Sequence, residues 1–72
     1  MLSTLDIADL LLTYNVRRYW HDRDGHLVGI RRRSTIIWFR LTDTDWEHVR
    51  TTRRRELGSG VTYHDVSGRR LK

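Results

Sequence analysis

No cysteine occurs in this chain of 72 residues, and that absence limits the fold more than any other feature. A chain this short buries only about 60% of the surface its unfolded form exposes. With neither disulfides nor thiolate metal ligands as staples, the core must come from aliphatic side chains together with Trp20, Trp38 and Trp46. One small domain follows, with no enclosed active site of any size. The apolar run Leu10–Leu12 is preceded by Leu2, Leu5 and Ile7 but also by Asp6 and Asp9. It is too short and too charged for a membrane span or a signal peptide, so a soluble, cytoplasmic chain with no membrane partner is expected.

The net charge of +5 is unevenly distributed. Residues 1–14 carry Asp6 and Asp9 alone, whereas residues 15–40 hold seven arginines against Asp22 and Asp24. Residues 41–57 are balanced, and residues 58–72 are again basic. Thirteen of the fourteen cations are arginine. Guanidinium forks suit bidentate contact with phosphate or guanine better than an ammonium does, so a polyanionic partner is the natural inference. The plainer account is a solvated, arginine-rich surface.

Local signals suggest an order of elements. Ser3 or Thr4 caps a first helix at about residues 4–12, with Asp6 near its positive end and Ile7, Leu10, Leu11 and Tyr14 at helical spacing. Asn15 is a good cap for a second helix from Val16 to about Asp22, which would dock through Val16 and Tyr19 and present Arg17 and Arg18 outward. Arg23-Asp24-Gly25 is a turn. His26–Arg31 and Thr35–Arg40 read as two strands joined by Arg32-Arg33-Ser34. Thr42 or Thr44 caps a third helix at about 43–56, with Trp46 and Val49 along one face. Gly58-Ser59-Gly60 then breaks the pattern, giving a winged-helix domain over residues 1–57 and a flexible basic tail over 58–72.

The chain thereby resembles the small winged-helix domains of MerR-like phage excisionases. Leu2-Ser3-Thr4 with Ile7-Ala8-Asp9-Leu10-Leu11 is similar to that family's opening helix, and Asn15-Val16-Arg17-Arg18-Tyr19 to its second. Gly25-His26-Leu27 looks like the entry to its wing, and Trp38-Phe39-Arg40 with Asp45-Trp46 and Val49 like the wing's end and the last helix. The fold this implies is α+β, a small winged helix-turn-helix. The function it implies is sequence-specific binding of double-stranded DNA as an architectural protein, several copies side by side bending an attachment site to favour excision by an integrase. Arg17 and Arg18 would enter the major groove, flanked by Asn15, His21 and Arg23. Arg31, Arg32, Arg33 and Ser34 would place the wing in the adjoining minor groove.

Two local alternatives remain open. Arg18–Asp22 and His26–Ile30 flank Arg23-Asp24-Gly25 closely enough to form a hairpin. The second helix would then be a strand in a mostly antiparallel sheet with one or two covering helices, its arginines on a sheet face as in oligonucleotide-binding modules, and Tyr19, Trp20 and Trp38 as stacking platforms. Val61–Val66 can likewise form a strand, with Ser67-Gly68 as a turn. Alternative functions are a protein-interaction module, in a phage or a bacterium, or a MerR-like transcriptional regulator. Catalysis is not expected. His21, His26, His48 and His64 lack metal-ligand spacing, no glycine-rich phosphate loop or nucleophile motif is present, and no cofactor is implied.

Overall fold

Ser3 starts the helix as expected. In the computed structural model, which describes residues 2–72, its hydroxyl oxygen accepts the Asp6 amide at 3.1 Å. The Asp6 carboxylate accepts the Ser3 amide in return at 3.4 Å, closing a capping box at the start of α1 (Thr4–Thr13). Ile7, Leu10 and Leu11 face inward, while Leu5 and Leu12 stay exposed on the outer side.

Asn15 ends this helix instead of beginning another. Its φ of 55° is left-handed, a conformation asparagine tolerates better than most residues. Its amide donates to the Leu12 carbonyl at 3.1 Å, and the Val16 amide donates to Leu11 at 3.0 Å. These are the two reversed bonds of a Schellman closure, and Val16 packs against the core beside them.

The chain then runs in strands: β1 (Arg18–His21), β2 (Leu27–Arg32), β3 (Thr35–Leu41), β4 (Trp46–Arg53) and β5 (Thr62–Asp65), with a 3-10 turn at Arg54–Glu56. They form one antiparallel sheet in the order β4-β3-β2-β1-β5. The winged helix-turn-helix is therefore corrected to a single helix on a five-stranded sheet. Neither the second helix at 16–22 nor the third at 43–56 exists.

Burial explains the first change. Strand geometry sends Tyr19 and Trp20 to opposite faces of the sheet, and both are buried there. A helix would set them roughly 100° apart on one side, whereas the sheet offers each ring its own packed face. The hairpin around Arg23-Asp24-Gly25 follows, with Trp20 opposite Gly29 and His21 opposite Val28. Asp22 Oδ1 accepts the His26 and Leu27 amides, each at 2.8 Å, and Gly25 has a φ of 72°.

The third helix fails because its capping residues also make a good turn. The Thr42 hydroxyl accepts the amides of Thr44 at 3.3 Å and Asp45 at 3.2 Å, and the Thr42 amide donates to the Asp45 carbonyl at 2.8 Å. Trp46, His48, Thr51 and Thr52 then pair along β3, as aromatic and β-branched residues favour. The pairing slips between Trp38 and Phe39, leaving Val49 as a bulge on this edge strand.

Both faces of the sheet are packed. On one, α1 covers Tyr19, Val28, Ile30 and Phe39, with Ile37 and Trp46 at the margin. On the other, Trp20, Leu27, Ile36 and Trp38 form a second cluster. The sheet edges are β4 and β5, so residues 54–61 must cross a face to connect them, and they lay Leu57 and Val61 on that second cluster.

Residues 58–72, expected as a flexible tail, instead supply β5, and the strand at Val61–Val66 weighed as an alternative is the one observed. Arg18 lies opposite Asp65 and Trp20 opposite Tyr63. Asp65 Oδ1 accepts the Ser67 and Arg69 amides to shape the following turn. Residues 69–72 then return along the outer edge of β5, where the Tyr63 amide donates to the Lys72 carbonyl at 3.1 Å. Among the described residues, no helix is long and apolar enough to cross a membrane.

Candidate nucleic-acid interface

The tip of the β2–β3 hairpin and the end of β4 meet at one end of the sheet because Thr35 pairs with Arg53. The Arg54 amide donates to the Ser34 carbonyl at 2.9 Å, tying the 3-10 turn to the tip. Between them lies an open cleft of about 840 Å³ lined by Arg31, Arg33, Ser34, Thr35, Arg53, Arg54 and Arg55. Its five arginines are all exposed.

Backbone contacts shape the tip and hold one of its cations. Arg31 Nε donates to the Arg33 carbonyl at 3.0 Å, and the Thr35 hydroxyl donates to the Arg32 carbonyl at 2.8 Å. Glu56 is the nearby acid, and its Oε1 accepts the Arg53 amide at 3.3 Å. Ion pairs among the described residues join Arg40 to Glu47 and Arg69 to Asp65, away from the cleft. The five guanidinium groups thus repel one another with no carboxylate bridging them, an arrangement that an anion with several phosphate groups relieves.

Arg33 occupies its position at a cost. It has a φ of 59° in a two-residue hairpin turn, where glycine fits without strain. Arg33→Gly is therefore expected to raise stability by about 0.5–1 kcal/mol, the roughly 1–2 kcal/mol cost of a left-handed residue less the roughly 0.4–1 kcal/mol of unfolded-state freedom that glycine adds, while weakening polyanion binding. Urea unfolding alongside a heparin titration checks both. A fall in stability would remove the idea that the tip keeps arginine at the expense of the fold.

The remaining residues named from sequence are placed elsewhere. Asn15 is spent on closing α1, and Arg17 lies in the link to β1. Arg18 faces Asp65 across β1 and β5. Arg23 sits in the β1–β2 turn, and its side chain approaches Gly60. Arg32 is exposed beside the cleft but does not line it. His21 joins Tyr19 and His64 in a ring cluster, with centroids 5.1–5.3 Å apart. In that cluster burial lowers the His64 pKa, and burial followed by the Asp65 charge raises that of Tyr19. Asp65 itself is lowered, chiefly by the Ser67 hydroxyl that donates to it at 2.6 Å.

Of the expected site, then, Arg31, Arg33 and Ser34 come together, and Arg53, Arg54 and Arg55 join them. The signal for the latter three was their consecutive run, which a helix would have spread around its circumference. No protein family, curated protein or solved structure matches this chain.

Proposed function

We propose that this protein binds nucleic acid through the sugar-phosphate backbone, with the arginine cleft as the contact surface. The observation carrying this reading is the convergence of five exposed, unbridged arginines from two separate chain segments onto a platform held by backbone hydrogen bonds. The docking expected for double-stranded DNA placed a second helix in the major groove, and that helix is absent. What supports binding now is the cluster of arginines at the hairpin tip and the end of β4. An integrase partner and neighbouring copies bending DNA were implied by the winged-helix resemblance alone, and the sheet supplies no separate argument for them.

Phosphate contacts release counterions, so affinity falls with salt at about 0.7 log units per contact for single strands and 0.9 for duplex, per tenfold change in salt. Replacing Arg33, Arg54 and Arg55 with glutamine is expected to flatten that slope by about two to three. Fluorescence anisotropy of labelled oligonucleotides across a salt series measures it. If the parent protein binds no nucleic acid at low salt, or the triple variant keeps the parent slope, the proposal fails.

A further inference from the structure

The arginine cleft has an aromatic neighbour. A smaller cleft on the sheet face opposite α1 is lined by Trp20, Arg54, Leu57, Val61, Tyr63 and Lys72. Arg54 borders both clefts. The Trp20 and Tyr63 rings touch at a centroid distance of 4.4 Å and are tilted by 36°. Trp20 is buried, with 8% of its surface exposed, and Tyr63 is half-buried, so the aromatic surface the cleft offers is chiefly the Tyr63 ring, backed by Trp20. The other proposed stacking residues are less available, since Tyr19 is covered by α1 and Trp38 is 2% exposed.

We propose that the Trp20–Tyr63 cleft receives an unpaired nucleobase while Arg54 holds the adjoining phosphate, so that the preferred ligand is single-stranded nucleic acid. This rests on the phosphate reading above and names the strand form it serves. The base lies against the tilted pair and not between its rings, which already touch. Leu57 and Val61 give the cleft an apolar floor, so the base is held by stacking and surface burial with little hydrogen-bond readout, which makes binding tolerant of sequence. A duplex keeps its bases stacked and paired, and presenting one here requires flipping it out. The arginine cleft takes phosphates from either form, but the aromatic cleft rewards only the single strand.

The test separates base from phosphate without altering the protein. A short thymidine strand, an abasic strand of equal length and charge, and a duplex of that length are titrated at one salt concentration. The thymidine strand is expected to bind about tenfold tighter than the abasic strand, within the range of one base stacked on an aromatic ring. It is also expected to bind tighter than the duplex and to quench tryptophan fluorescence. Tyr63→Leu, with its fold checked by thermal melting, is expected to erase the difference between thymidine and abasic strands. Should that variant not fold, the comparison of strands on the parent protein decides. Equal binding of all three ligands overturns the base cleft and leaves the phosphate reading standing. Binding of none overturns both.

Discussion

Gly29→Ala is expected to destabilise the protein by about 1–3 kcal/mol, the usual range for overpacking a filled core. A Cβ at this position would lie 2.7 Å from Ile36 Cγ2 and 3.0–3.1 Å from two carbons of the Trp38 six-membered ring. Neither neighbour can retreat. Ile36 is fully buried, and Trp38 is pinned by its indole N–H, which donates to the Thr52 hydroxyl at 2.9 Å, with the Arg50 guanidinium 5.6 Å above the ring. Gly29 also sits between Trp20 on β1 and Trp38 on β3, so the bare backbone is what lets two indoles share this face. Because Gly29 lacks the positive φ seen at Gly25, the cost is one of packing and not of backbone conformation. A domain this size holds roughly 4–11 kcal/mol in total, so the loss is a large fraction of the whole. Urea unfolding of Gly29→Ala, Ile36→Ala and the double variant checks it. Removing Cγ2 should relieve the clash, making the double variant less costly than the sum of the singles. A Gly29→Ala loss below about 0.5 kcal/mol, the ordinary range of a surface change, would contradict the close approach.

The parts of the fold legible in the sequence are those fixed by neighbouring residues. Ser3 with Asp6 marks the start of α1, Arg23-Asp24-Gly25 marks a turn, and the Ile36–Phe39 run marks a strand beside an arginine-tipped hairpin. The misreadings fall where one local signal serves two structures. Asparagine caps the start of a helix by accepting a bond, but it also ends one by adopting left-handed φ, and Asn15 does the second. The Thr42–Asp45 segment is equally a helix cap and a hairpin turn. What decides between them is distant. β1 is a strand because β5 pairs along it from more than forty residues downstream, and Trp20 needs Tyr63 and Leu27 around it. The candidate site divides the same way. Arg31, Arg33 and Ser34 share a hairpin visible in sequence, while Arg53, Arg54 and Arg55 reach them only through the register of β4 on β3.

Removing residues 58–72 is expected to abolish cooperative unfolding altogether, the largest effect foreseen for this chain. A dispensable basic tail would leave stability nearly unchanged and cost only polyanion affinity. Here the deletion strips β5 from β1, with all four of its register pairs. It removes Tyr63 from Trp20 and the His64 ring stacked 5.1 Å from Tyr19, so buried aromatics on both sheet faces lose cover at once. Val61 is lost from the second cluster as well. Truncating even one large core side chain costs about 3–5 kcal/mol, and several such losses together exceed what a small domain has in reserve. A truncation after Val66 separates the contributions, since it keeps β5 but deletes the return of residues 69–72 along its outer edge. That shorter deletion should lower the melting temperature yet preserve a single transition, because the two core clusters remain and the losses are edge hydrogen bonds, the turn bonds to Asp65 and His64, and the Arg69–Asp65 ion pair. Thermal melts followed by near-ultraviolet circular dichroism, which reports the fixed packing of the tryptophans, distinguish the two. A chain ending at Leu57 that still melts cooperatively would mean that β5 is an ornament on the sheet and not the strand that holds β1 in place.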